Sequence, residues 1–437
     1  MTGARAVRRP LAVTAALVVL GTAGAHAAVP TVELITDRAG RSEAAGSSAV
    51  KWGFMCSIFA RRGDRLCAVT FARPPDEPWD ARKPNEAPVA FWEQDRGGAW
   101  HSTLLDGPRR TYQTPTLLLE QDGRADVFTL QPGDTTIHWF RGKDAANSSF
   151  ERRELPIPWG AYMGGAMDER GRVLLAYWGT TKPGPDAGLY ENGAVGWTLV
   201  DTRTGRTQNG VAEATGVPYC YPQVAFDRTG AHILTVRSEV KSELLVGSRN
   251  HYIEMRYYHC DDPSARNASW QRTVMMSDPR ALIQPLGCVT DGAGRVHLLY
   301  CFYRDEGGGK FVPPTLVYAV SRAPVSRGRA PEFVKHTIRD GGWDGRLCRT
   351  SDGRVHVMAY RAGNAIELAT VLDGVAGRFS DWQRFELPVG FCRVFPLRYA
   401  GRASLARDIE CLLVGVPGTA NESSLYALRL DLGGRAR

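Results

Sequence analysis

The sequence predicts an all-β chain, a seven-bladed β-propeller of four-stranded antiparallel blades, and three observations carry that expectation. A strand–turn–strand motif recurs along the chain. Gly and Pro are spread through it as punctuation and do not gather into linkers. The composition is that of one globular chain with an ordinary core: of 437 residues, 43% are hydrophobic and 23% charged, with 47 Gly and 26 Pro.

The motif is clearest in five segments: PTLLLEQDGRADVFTLQ (115–131), GGAMDERGRVLLAYWG (164–179), PQVAFDRTGAHILTVR (222–237), PLGCVTDGAGRVHLLYCF (285–302) and GRLCRTSDGRVHVMAYR (345–361). Each is a short apolar strand, a tight Asp/Gly turn and a second strand of alternating bulky residues. Fainter copies at 56–71 and 392–415 bring the number to seven. The turn glycines Gly63, Gly123, Gly171, Gly230, Gly294, Gly353 and Gly401 fall roughly 48 to 64 residues apart, the length of a four-stranded blade. Third and fourth strands follow in two units as HYIEMRYYHC with WQRTVMM, and IELATVL with WQRFELPV. The weak terminal copies leave six or eight blades open, and a β-sandwich is the alternative that leaves the repetition unexplained.

The first 27 residues carry Arg5, Arg8 and Arg9, an apolar run from Leu11 to Leu20, and small residues at Ala25 and Ala27. That is the pattern of a cleavable signal peptide, and the run is too short to span a bilayer comfortably. The expectation is a single propeller domain over 28–437, secreted or periplasmic, free of the membrane after cleavage and monomeric. The formal charge is +8, three units of it from the leader arginines, with acidic and basic residues intermixed elsewhere. No basic block suggests nucleic acid, so the excess points at most to an acidic ligand. Nine cysteines show no CxxC and no Cys/His spacing for zinc, so neither metal nor cofactor is expected. Cys56 and Cys67 flank one hairpin and form the easiest disulfide to draw.

The repeat decides which polar residues are structural. His232, His297 and His356 occupy one motif position, filled by Asp126 and Leu174 in other copies, and are read as structural. The candidates that remain lie at the strand ends, where the inner strands of a propeller converge on its axis. The second strands end at Gln131, Gly179, Arg237, Phe302 and Arg361, and the first strands begin at Thr114, Tyr162, Tyr221, Gln284 and Asp344. Tyr112, Trp159, Tyr162, Trp178, Tyr219 and Trp343 lie near the same mouth, where flat rings with polar tips suit sugar faces.

These motifs, of the form D-x-x-G-R-hydrophobic-His-hydrophobic, resemble the BNR-repeat, sialidase-like propellers of secreted polysaccharide-active proteins, and the ulvan-lyase-like group in particular. That group carries Tyr-Pro at the start of one blade and Arg at the end of its next strand, matched here by Tyr221-Pro222 and Arg237. The resemblance implies a polysaccharide lyase that cleaves a uronate-containing polysaccharide by β-elimination. Arg237 would hold the substrate carboxylate. Tyr221 would take the C5 proton, its pKa lowered by a neighbouring cation, and return a proton to the leaving oxygen. Tyr112, Gln131, Tyr162, Tyr219 and Arg361 would bind the poly- or oligosaccharide. The chain departs from the group at Tyr112-Gln113-Thr114-Pro115, where H-N-x-P is the pattern, and at Gln131, where a second His would stand. It also lacks the S-x-D-x-G-x-x-W box of sialidases. The alternative is a non-catalytic carbohydrate- or protein-binding propeller.

Overall fold

The motif folds as expected, into the first two strands of successive antiparallel sheets. The computed structural model describes residues 30–37, 39, 41–42, 47–48, 55–71, 88–105, 114–131, 133–182, 192–239, 251–304, 306, 312–397, 404–416, 419 and 424–432. The leader 1–27 and Tyr112 lie outside these. Among the described residues there is no α-helix. The strands form four four-stranded sheets, one five-stranded sheet and one seven-stranded sheet, with a two-stranded ladder of Arg41–Ser42 on Ser47–Ser48.

The seven-stranded sheet is two four-stranded units joined by one long strand, Phe150–Met167. Its first half pairs with Asp134–Gly142 and its second half with Arg172–Thr180. The next unit is Tyr219–Asp227, Gly230–Glu239, His251–Cys260 and Gln271–Ser277, followed by Ala281–Thr290, Val296–Arg304, Thr315–Ser321 and Phe333–Arg339. In the last sheet the strand Pro30–Thr36 pairs antiparallel with Leu425–Leu430, so both ends of the described chain share one sheet and that edge is covered. The result is a propeller-like all-β fold. Its largest core cluster draws Phe59, Leu117, Ala161, Cys220, Cys288 and Phe395 from five of these sheets.

The three repeat histidines are built alike. Each is buried, and each ring bridges its own hairpin turn to a hydroxyl on the third strand. His232 reaches Tyr257 (2.7 Å) and Thr229 (2.8 Å), His297 reaches Tyr318 (2.6 Å) and Asp291 (3.2 Å), and His356 reaches Thr370 (3.0 Å) and Thr350 (3.2 Å). Asp126, at the same motif position, accepts a hydrogen bond from the indole N–H of Trp139 on its own third strand (2.7 Å). A buried polar group at this position therefore ties the second strand to the third: the histidines also reach their turn, while Asp126 is held by one carboxylate oxygen.

The cysteine expectation is corrected. None of the nine cysteines forms a disulfide, Cys56 and Cys67 included. Cys56 precedes the strand Phe59–Arg62, and its thiol donates to the carbonyls of Thr114 (3.1 Å) and Met163 (3.3 Å) in other units. Cys67 stands opposite Ala60 in the hairpin, and burial pushes its thiol up to about 12.

Burial disfavours imidazolium, pulling His232 down to about 3 and His356 to about 4. The unfolded chain, with ordinary histidines near 6.5, then binds more protons than the folded one between those values, so stability rises with pH across that window. The fold is expected to be at full strength above about pH 6.5 and to weaken steadily as pH falls towards 4, with His356 alone accounting for on the order of 3 kcal/mol at the lower end. Denaturant melts from pH 7 to pH 4 check this: a His356→Gln variant should show a shallower decline than the parent, and parallel slopes would refute the assignment.

Candidate active site

The site begins as a backbone irregularity. In Tyr219–Asp227 the ladder with the next strand slips between Cys220 and Gln223, so that Tyr221 and Pro222 together oppose one residue. The same slip occurs between Ala161 and Gly164 in the preceding unit and lifts out Tyr162 and Met163. Both are β-bulges, devices that re-aim a side chain at the edge of a sheet. Tyr162 (φ 54°) and Tyr221 (φ 56°) sit in left-handed backbone, a conformation otherwise taken among described non-glycine residues by Asn147 alone. Asn is at home there and a bulky aromatic is not; holding each tyrosine so costs on the order of 1–3 kcal/mol, strain that marks a functional position more often than a structural one.

Packing between units brings the two bulges together. A Cβ on Gly164 would fall 2.2 Å from the carbonyl oxygen of Pro222 and 3.0 Å from that of Met55, so only glycine lets these three backbone segments meet. The rings follow the backbone. Tyr162 lies edge-on to Tyr221 with centroids 4.7 Å apart, stacks parallel to Trp178 at 6.1 Å, and Trp178 meets Trp159 at 5.0 Å. On the other side Tyr221 meets Tyr252, of the third strand, at 5.2 Å, and the two hydroxyls are hydrogen-bonded at 2.8 Å. Five rings thus form one continuous ladder across two units, in the order Trp159, Trp178, Tyr162, Tyr221 and Tyr252, with Tyr221 buried and Tyr162 and Tyr252 half-exposed on either side of it.

The expected site residues divide. Tyr221 and Tyr162 are joined directly. The turn of Gln131 lies against the foot of the ladder, since the N–H of Gly133 donates to Gly160, next to Trp159, at 3.3 Å; the Gln131 side chain itself is buried. Arg237 is half-buried and stands across the ladder from Tyr219 on one side and Glu254 on the other. Tyr219 is fully buried, donating its hydroxyl to Glu254 (2.6 Å) beneath the Arg256 guanidinium (4.8 Å from its ring), so it supports the sheet from inside. Arg361 is exposed, with its guanidinium 4.6 Å over the ring of Trp343. Tyr252 was missed because no motif marks the third strand; only its place at the start of HYIEMRYYHC could have pointed to it.

The electrostatics revise the Tyr221 expectation. Burial, reinforced by Tyr252 and Tyr162, holds its phenol well above the usual tyrosine range, not below it. In the free protein the phenol stays protonated at neutral pH. Among the described residues no group of three or more His, Cys, Asp or Glu is placed to hold a metal ion.

No family model and no curated protein matches the chain. Solved structures do match in fold. A polysaccharide lyase, Uly1, superposes with a TM-score of 0.61 at 10% identity, covering 92% of this chain and 99% of that one. An ulvan lyase of polysaccharide lyase family PL25, bound to -[GlcA(1-4)Rha3S]-, superposes at 0.57 with 9% identity over 91% and 94%. A fungal alcohol oxidase of the AA5 family in complex with copper reaches 0.50 at 12% identity over 87% and 74%. The chain therefore has the propeller-like fold of known polysaccharide lyases, a fold shared with that copper-bound alcohol oxidase.

Gly164→Ala is expected to force the bulges apart and cost about 2–3 kcal/mol, an overpacking penalty, with loss of the Tyr162–Tyr221 contact. Urea unfolding together with near-ultraviolet circular dichroism of the tyrosines reads both effects. A double-mutant cycle of Tyr221→Phe and Tyr252→Phe should return a coupling of about 1 kcal/mol for the shared hydrogen bond; additive single effects would mean that the hydroxyls act independently.

Proposed function

We propose that the chain is a seven-bladed propeller, closed by pairing of its N- and C-terminal strands, that binds an acidic polysaccharide at the tyrosine ladder and cleaves it by β-elimination. The blade count follows from reading the seven-stranded sheet as two units. The observation that carries the functional reading is the pair of strained bulge tyrosines, Tyr162 and Tyr221, packed on each other at 4.7 Å. A fold does not need a tyrosine in left-handed backbone twice at equivalent places, and a site does. The fold likeness to two polysaccharide lyases makes carbohydrate the substrate class that fits best.

In this reading the uronate carboxylate lies against Arg237, whose planar guanidinium stabilises the charge that develops as C5 loses its proton. The C5 proton passes to solvent water, the C5–H electrons form the C4–C5 double bond, and the C4–O bond breaks. Tyr221, protonated at rest, delivers its proton to the departing oxygen, with Tyr252 holding the phenol in place. Taking the C5 proton as well would require Tyr221 to ionise beside Arg237 in the complex, and pH separates the two roles: an acid keeps kcat/KM level through neutral pH, whereas a base makes it climb with pH. A second reading, a sugar-binding propeller without turnover, draws on Gln131 standing where the related lyases have a His.

Purified protein offered a panel of uronate polymers is expected to release unsaturated, ultraviolet-absorbing ends, and Tyr221→Phe to slow this at least a hundredfold while polymer binding survives. Binding without absorbance from either protein would establish the second reading.

A further inference from the structure

Among the described residues four repeat units place an arginine directly after the turn, at Arg124, Arg172, Arg295 and Arg354, and three of them fold back on their own hairpin. The guanidinium of each donates through Nε to its turn aspartate: Arg124 to Asp122 (2.7 Å), Arg172 to Asp168 (2.8 Å) and Arg354 to Asp352 (2.5 Å). Arg295 does not. Its turn has the same five-residue form as that of Arg172, and Asp291 Oδ1 accepts the Arg295 backbone N–H as Asp168 Oδ1 accepts that of Arg172, both at 2.8 Å. The other carboxylate oxygen is taken, because His297 Nε2 lies 3.2 Å from Asp291 Oδ2, where the Asp168 turn has Leu174 and no competitor. Arg295 is left with no carboxylate within salt-bridge distance among the described residues, and its Nε is buried without a hydrogen-bond partner. A guanidinium in that state retains a full charge and five donors while lacking part of its solvation.

The side chain lines a cleft of about 530 Å³ between two neighbouring units, at the opposite end of the strands from the bulge tyrosines. Arg322, Arg354 and Arg378 share the lining, with Asp291 and Asp373 as the acids, and the exposed Leu372 (67%) gives it an apolar surface. The walls pack on each other: Gly353 faces Gly292 at ordinary van der Waals distance, and a Cβ on Gly374 would strike the Tyr318 hydroxyl at 2.3 Å. Tyr318 in turn holds His297 at 2.6 Å, so the residue that releases Arg295 is itself fixed.

We propose that this cleft is a second binding site, for an oxyanion of the sulfate-ester or carboxylate type carried on a saccharide, with Arg295 as its principal ligand. The oxyanion chemistry rests on the cleft alone; the saccharide carrier rests on the function proposed above. Such a site would anchor an acidic polymer on the face away from the ladder and raise its residence without touching the bond that is cleaved.

The test is isothermal titration at fixed ionic strength with sodium sulfate, with a glucuronate-containing tetrasaccharide and with a neutral tetrasaccharide. Wild type and Tyr221→Phe should bind sulfate alike and saturably. Arg295→Gln should weaken it at least tenfold, Arg295→Lys less, and the exposed Arg378→Gln measurably, which guards against a folding defect at Arg295. Absence of saturable sulfate binding, or equal binding by Arg295→Gln, overturns the site. Sulfate binding without preference for the acidic over the neutral tetrasaccharide overturns the saccharide carrier and leaves a small-anion site. Elimination activity is measured separately, so loss of the cleft and loss of the lyase reading are distinguishable.

Discussion

The closest approach in the molecule that matters for its site is between two backbones, at Gly164 and Pro222. Because position 164 has no side chain, the carbonyls of Pro222 and Met55 can press against it. Met55 is followed by Cys56, whose thiol donates to carbonyls at Thr114 and Met163, and by Ser57, whose carbonyl accepts the N–H of Leu117 at 2.5 Å. Four units meet within a few residues, all through backbone groups and one small thiol. The tyrosines that flank this junction cannot relax independently, since each bulge is braced by the other, and this is how strained backbone persists in a fold of otherwise regular hairpins.

The strain has a consequence for chemistry. A bulge with Gly in its left-handed position would form at lower cost, and the chain places a tyrosine there twice. What the arrangement secures is a buried phenol with its hydroxyl fixed by Tyr252 and its ring held by Tyr162. Burial that rigid keeps the phenol protonated, so the site is better equipped to donate a proton than to accept one in the resting state. The repeat histidines show the same physics put to another use: buried and hydrogen-bonded at both nitrogens, they join turn to third strand.

Where the internal repeat departs from itself, local competition for a hydrogen bond explains the departure. At the Asp168 turn the aspartate takes its arginine because position 174 is leucine. At the Asp291 turn the histidine two residues beyond the arginine takes the oxygen, and the arginine is turned into the cleft. A single change of residue, two positions along a strand, moves a charge from an internal ion pair to a binding wall. The histidines read as structural in the sequence are so, and one of them has this further effect on its neighbour.

Sequence alone determined the hairpins, the run of similar units and the structural standing of His232, His297 and His356, because turn chemistry, strand alternation and a repeated position are local and are written in consecutive residues. It also marked Tyr162 and Tyr221 as equivalent, since both begin a first strand. It did not reveal Tyr252, the burial of Tyr219, the stacking of Arg361 on Trp343, or the absence of a Cys56–Cys67 disulfide. Those depend on how one unit packs on another: which ring meets which across a bulge, how far a phenol is withdrawn from water, and which carbonyl a thiol faces. Contacts of that kind join residues far apart in the chain and follow no period, so only the tertiary structure decided them.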